Sequence, residues 1–346
     1  MFDKLIGNDN AKLMLRRLVG NGRVPNSLLF AGDEGVGKRL FAIELAKAFL
    51  CREPIDKAAC GTCSACKRAE VIVLPKSEKK EDYDRVFFTD HPDLGMVIPF
   101  RRNVRIEAIR ALEREANFRP YEAAARFFIV DDAEKMADPA ANALLKTLEE
   151  PASTTHIVLI TSKPDSLLPT IRSRVQTIKF APLLAGDIEE FLMREKAFTR
   201  DEARVAARTS RGSVGRAASI NVATFRSARE RMLDVVRSII RLQDRSAPMR
   251  ISEEMNDAKN KDNFEENLDI LESVIHDIWT LQITGDSEGL TNSDIEDELR
   301  SLAVGSESRD LPAWLAEIET MRSNFIVNIN RRIATDALFT AMASKW

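Results

Sequence analysis

Four cysteines, Cys51, Cys60, Cys63 and Cys66, are the only thiols in a chain of 346 residues, and they fall in one short segment. Their spacing is C-x8-C-x2-C-x2-C. Two overlapping C-x-x-C pairs, with Gly61 to allow a tight turn, can converge four soft thiolates on one tetrahedral ion, as structural zinc demands. Four thiolates leave no open coordination position, so the zinc predicted here is structural and not catalytic. A redox pair or disulfides would use the same residues, but a reducing compartment and the lack of a thioredoxin-like context disfavour both.

A second constellation lies just upstream, Gly32-Asp33-Glu34-Gly35-Val36-Gly37-Lys38-Arg39. A glycine-rich loop between a strand and a helix aims successive backbone N–H groups at a phosphate, and the helix N-terminus adds a favourable dipole. Gly32, Gly35, Gly37 and Lys38 supply that cradle. They satisfy the P-loop pattern G-x-x-x-x-G-K-[ST] except at its last position, where Arg39 stands. The missing hydroxyl normally ligates magnesium, and an arginine cannot coordinate a cation. The other half of such a site is an apolar strand ending in carboxylates, and Phe127-Phe128-Ile129-Val130-Asp131-Asp132 fits it. Asp131 would hold magnesium through water. Asp132 stands where a hydrolysing protein usually carries the longer glutamate that orients the attacking water. ATP with Mg2+ is the ligand such a loop would take; binding is left open by Arg39, and efficient hydrolysis is not expected.

These groups need elements to position them. The spacing predicts an amphipathic helix over 10–19, a strand over 27–31, and after the glycine loop a helix that runs directly into the cysteines. Residues 75–93, rich in Lys, Glu and Asp, read as an exposed, mobile excursion. A helix to about 117, a strand over 126–132, a helix over 139–150 stopped by Pro151, and a strand over 156–162 follow. Short apolar strands with intervening helices imply a mainly parallel sheet covered on both faces. From about residue 185 the pattern is helical: 186–195, 199–209, 214–220, then longer helices. Phe264, Leu268, Leu271, Ile275, Ile278 and Leu281 form one apolar stripe, and a last helical stretch contains Trp314, Ile318, Met321, Phe325 and Ile329. A linker-like segment, 285–308, separates them.

Composition narrows the class. Lys and Arg number 51 against 54 Asp and Glu, so no global basic field points to nucleic acid and any such contact has to be local. Arg101, Arg102 and Arg105 form a local basic patch; it would contact DNA phosphates or be a solvated turn. The first residues carry charges among their apolar positions, unlike a signal peptide, and no stretch approaches the roughly 18–20 apolar residues that cross a bilayer. A cytoplasmic protein without membrane contact is expected. His91, His156 and His276 show no ligand spacing and are assigned no function.

With the loop, the carboxylate strand, the cysteines and the run Asn142-Ala143-Leu144-Leu145-Lys146-Thr147-Leu148-Glu149-Glu150-Pro151 in view, the chain resembles the clamp-loader subunits of the bacterial DNA polymerase III holoenzyme. The resemblance spans about residues 1–220 by motif and the rest by order and composition. It implies an AAA+ fold, here 1–183 with a zinc module at 51–66, a helical lid domain at 184–222, and an all-α collar at 223–346 that joins five subunits. It also implies that Arg174, in Ile171-Arg172-Ser173-Arg174-Val175, is an arginine finger on nucleotide held by a neighbouring subunit, with Val175 in place of the family's cysteine. Ser162 stands at the first sensor position, and Arg216, in Gly212-Ser213-Val214-Gly215-Arg216, resembles the second sensor arginine. The implied partners are the other loader subunits, the sliding clamp and primer-template DNA. The motor subunit of the same loader would be expected to have Ser or Thr at position 39. A zinc-bearing nucleoside monophosphate kinase fails on length, on the helical C-terminus and on the lack of a Gly-Thr pair after Lys38. A scaffold with a vestigial loop differs only in whether nucleotide binds.

Overall fold

Strands of four to seven residues, each built around a short apolar run, make up most of the central sheet. A computed structural model describes residues 1–242, 246–257, 263–324 and 330–344. Strands β1 (Ser27–Ala31), β2 (Phe87–Phe88), β3 (Leu94–Val97), β4 (Arg126–Val130), β5 (Thr155–Thr161) and β6 (Gln176–Lys179) form a six-stranded sheet in the order β2-β3-β4-β5-β1-β6. All neighbours pair parallel except β2 with β3. β1, β3, β4 and β5 are buried throughout, so β1, β4 and β5 read as unbroken apolar runs and not as alternation. Side chains still alternate between faces. Leu28, Phe30, Phe127 and Ile129 meet helices α1 (Asp9–Gly20) and α2 (Lys38–Leu50), with α3 (Ser64–Glu70) beside α2. Leu29, Phe128 and Val130 meet α4 (Ile106–Ala116) and α5 (Asp138–Glu149), and the short α6 (Pro169–Arg172) follows β5.

The segment 75–93 is not the exposed excursion its charges predict. Its first half is exposed, but Val86, Phe87, Thr89, His91 and Asp93 are buried, and Phe87 and Phe88 pair with β3 at the sheet edge. Buried partners make the charge at Asp93 tolerable. Its carboxylate accepts from the backbone N–H groups of Tyr121, Glu122 and Ala123 at 2.8, 3.0 and 3.0 Å, and Arg126 lies beside it at 3.7 Å. Arg126, fully buried, also donates to Glu115 and lies over the rings of Phe88, Tyr121 and Phe128. Asp93→Ala is therefore expected to cost about 3–5 kcal/mol, because it strands three N–H groups and a buried guanidinium. Urea unfolding of parent and variant measures this; a loss within about 0.5 kcal/mol, the range of ordinary surface changes, would contradict the buried-network account.

The chain divides into two compact units, Met1–Phe191 with Arg211–Arg216, and Leu192–Ser210 with Ala217–Trp346. After α7 (Ala185–Glu195) come α8 (Arg200–Thr209), α9 (Val214–Ser219), α10 (Val222–Arg237), α11 (Ser246–Asn256), α12 (Phe264–Thr284), α13 (Glu296–Gly305), α14 (Asp310–Asn324) and α15 (Arg331–Ala343). A capping box between Thr199 and Glu202 starts α8. The predicted stripe on α12 is buried, and α12 packs against α10, α13 and α14. The linker-like reading of 285–308 is corrected by α13, whose first turn carries Glu296, Asp297 and Glu298. Acidic residues that look like loop chemistry favour a helix N-terminus through its dipole. Asp277, buried in α12, fastens the approach to α13 by accepting from the N–H groups of Thr291 and Asn292 at 3.1 and 2.7 Å. Phe325 and Ile329 lie outside the described residues. No helix among the described residues is long and apolar enough to cross a membrane. The α/β domain with a glycine loop after β1, followed by helices, is the expected fold class.

Candidate phosphate loop and four-cysteine centre

The glycine loop leaves the end of β1 and enters α2 at Lys38, so register decides what surrounds it. β1 lies beside β5, with Ala31 opposite Thr161, and β4 lies on the far side of β5. Asp131, Asp132 and Ser162 thus emerge at the same carboxyl end of the sheet as Gly32. Gly35 has φ +77°, and a Cβ there would meet the Ser213 hydroxyl at 2.1 Å, so glycine is required twice over. The Gly212–Arg216 run docks on the loop: the Gly215 N–H donates to the Gly35 carbonyl at 3.0 Å, and the Arg216 N–H donates to Ser213 Oγ at 3.1 Å.

Both cations of the loop, Lys38 and Arg39, are engaged within the chain. Lys38, 6% exposed, donates from Nζ to the carbonyls of Gly32 and Asp33 at 2.6 Å each. Burial pushes its pKa down against the pull of Glu134 and Asp131. Arg39 closes on Asp131 Oδ2 through Nε at 2.8 Å and through Nη2. Asp131 is buried, which raises its pKa although the Arg39 guanidinium opposes the shift. A carboxylate neutralised by a fixed guanidinium does not fit Mg2+, since a hydrated dication would meet a like charge where its ligand should be. Asp132, in the left-handed region at φ +48°, pairs with Lys135 at 2.7 Å.

Glu134 is a member of this site that sequence reasoning missed. Its Oε1 accepts from the Ser162 hydroxyl at 2.5 Å and from the Ser162 N–H at 3.1 Å, while Oε2 is buried without a partner among the described residues. Burial alone would raise its pKa, and the Ser162 and backbone donors more than offset that, so it is held below the ordinary glutamate value. Nothing local could have flagged it, because the partner is 28 residues away. Arg102, Asp132, Glu134, Lys135, Ser162 and Lys163 line a cleft of about 500 Å³ here.

The basic patch separates in three dimensions. Phe100 and Asn103 close a turn by exchanging backbone hydrogen bonds, and Arg101, at φ +53°, folds over the Phe100 ring. Arg102 faces the cleft. Arg105 is forked onto Asp84 at 2.8 and 3.3 Å and approaches Glu107, contacts that raise its pKa and already neutralise it. Arg174 lies in a separate cluster after α6, with Nη2 2.5 Å from Glu149 Oε1 and Nη1 donating to the Thr170 carbonyl and Ser173 Oγ at 2.9 and 3.2 Å.

The four cysteines converge at the junction of α2 and α3. Their sulfurs all lie within 4.8 Å of one another, with Cys51 3.5 Å from Cys60 and 3.9 Å from Cys63. Tetrahedral thiolates about 2.3 Å from zinc would be separated by about 3.8 Å, so the set fits that ion. Backbone N–H groups of Thr62 and Cys63 point at Cys60 Sγ and bring its pKa down to about 6, whereas burial pushes Cys66 up. The module is tied to the rest of the domain through Glu122, which pairs with Arg52, just after Cys51, and with Arg68, just after Cys66. His91 Nδ1 accepts from the Asp93 N–H, which leaves Nε2 to carry the proton 3.4 Å from Glu122. Burial depresses the His91 pKa, so this contact belongs to a neutral ring.

Comparison with known proteins bears on residues in both clusters. The model of the family described as DNA polymerase III, delta subunit, matches residues 7–184. DNA polymerase III subunit delta' of Bacillus subtilis (strain 168) is 28% identical over 317 residues, covering 92% of this chain and 90% of that protein. DNA polymerase III subunit delta' of Escherichia coli (strain K12) is 31% identical over 219 residues, covering 63% and 58%. Among solved structures, a DNA polymerase III gamma subunit-related protein of Thermotoga maritima aligns over 96% of this chain and 98% of that one, at 16% identity and a TM-score of 0.41.

Proposed function

From the premise that the chain belongs to the family described as DNA polymerase III, delta subunit, we propose that it is a clamp-loader subunit that assembles with nucleotide-hydrolysing neighbours and is not itself the motor. The observation that carries this reading is the Arg39–Asp131 pair, which puts a side-chain cation where a motor needs a metal. Positioning and metal stabilisation are nearly all that catalyses phosphoryl transfer, so a loop plugged in this way does not hydrolyse ATP efficiently. The reading includes Arg174 as an arginine finger acting in trans, because a fixed, half-exposed guanidinium can be presented to phosphoryl oxygens of a neighbour. It includes structural zinc at Cys51, Cys60, Cys63 and Cys66, a lid at 184–222, a collar at 223–346, and service in the cytoplasm. Its partners are the other loader subunits, the sliding clamp and primer-template DNA, with Arg101 and Arg102 better placed than the neutralised Arg105 to meet phosphate.

ATP binding and turnover by the zinc-loaded chain alone, and then with the other loader subunits added, test the proposal. Negligible turnover alone, with co-elution and turnover on assembly, is expected. Robust turnover by the isolated chain would replace this reading with that of a motor subunit.

The plug has its own test. Arg39→Ser removes the cation from a buried carboxylate and is expected to cost about 1–3 kcal/mol of stability. Thermal unfolding with and without MgATP measures the loss and any recovery by the ligand; a variant as stable as the parent would mean that Arg39 does not neutralise Asp131.

A further inference from the structure

Glu149 occupies a position that helix stability does not explain. It is the last residue of α5, where the dipole disfavours a carboxylate and favours a cation. Its charge is met by Arg174, at 2.5 Å. The arginine is fixed at its base: the short α6 is seated by the buried Ile171, and the Arg174 N–H donates to the Ile171 carbonyl at 3.0 Å. Nη1 is held by its own turn through Thr170 and Ser173, so Glu149 controls the other arm of the guanidinium, Nη2. The two side chains are 35% and 46% exposed, so the pair is open to solvent and of small worth. A triphosphate carries more negative charge than one carboxylate and so can compete for the same guanidinium.

We propose that Glu149 is a latch on Arg174: it holds the guanidinium in cis until a nucleotide triphosphate on an adjoining subunit competes it away. Glu149 is in this sense a positioning residue, and the inference rests on Arg174 acting in trans as proposed above. Breaking the latch removes a competitor of the triphosphate and leaves the finger intact.

Steady-state ATP turnover of the reconstituted loader, with assembly checked by gel filtration, tests it with the parent chain and four variants. Glu149→Gln keeps the side-chain shape without the charge, and the KM for ATP is expected to fall about threefold with little change in kcat, the size a half-exposed ion pair allows. Glu149→Asp keeps the charge and should restore the parental KM. In an Arg174→Ala background, Glu149→Gln should have no further effect. A raised KM or lowered kcat in Glu149→Gln would overturn the latch, since Glu149 would then be orienting the finger. An unchanged KM, with turnover still lost in Arg174→Ala, would sink the latch and leave the finger standing. Turnover unaffected by Arg174→Ala would instead remove the finger reading itself, and the latch with it.

Discussion

Arg174→Ala is expected to lower ATP turnover by about 10³-fold or more at the site this residue faces in the assembled loader, the scale on which a trans arginine acts in phosphoryl transfer. The total turnover of a complex with several sites falls by less, so single-turnover hydrolysis with the neighbouring sites disabled is the direct measurement. The variant should assemble normally. Arg174 is half-exposed, and its partners are Glu149, Thr170 and Ser173, all within the same local cluster. Its deletion removes a surface ion pair of small worth and no buried group. Retained assembly with lost turnover separates chemistry from structure, and unaltered single-turnover rates would end the finger assignment. Arg174→Lys is informative beside it: a point charge cannot reproduce a planar fork, so it should recover little.

The second large effect is expected at the cysteines. Cys63→Ser removes one of four thiolates that lie within 4.8 Å of one another. Structural zinc sites in small modules bind with apparent free energies of about 10–16 kcal/mol, and that binding energy is also folding energy for the module. Zinc affinity should fall by at least about 100-fold, measured by competition with a chromogenic chelator. The segment between α2 and α3 should become open to proteolysis, while the sheet, whose core lies in β1, β4 and β5, keeps its cooperative unfolding. Full zinc stoichiometry at parental affinity in the variant would refute the site. Cys60 is another member of the same four-thiolate set, so Cys60→Ser should behave alike.

How much was legible beforehand depended on range. The glycine loop, the helix after it and the cysteine cluster are contiguous, and residue type with spacing nearly specifies their geometry: Gly35 adopts the positive φ that a cradle needs, and α2 delivers the chain directly to Cys51. The strands β1, β4 and β5 were readable because they are buried on both faces. β3 and β6 were not. β3 has four residues and includes Gly95, and β6, Gln176-Thr177-Ile178-Lys179, buries only Ile178. The half-buried edge at 85–93 was hidden by charges that precede it, and α13 by acidic residues that serve a helix start as well as a loop.

By itself the sequence determined the chemistry on offer: a phosphate cradle lacking its hydroxyl, four thiolates set for one ion, and arginines at defined points of a chain whose order of elements is α/β and then helical. Tertiary structure alone decided which of those charges are already spent. Arg39 finds Asp131 across 92 residues, Glu134 finds Ser162 across 28, and Arg174 finds Glu149 because α5 and α6 pack together. The physical reason is that spacing constrains atoms within a turn or two, whereas partners on different strands and helices are brought together by register and packing. A charge in the sequence states what it could bind, and only the fold states what it is bound to.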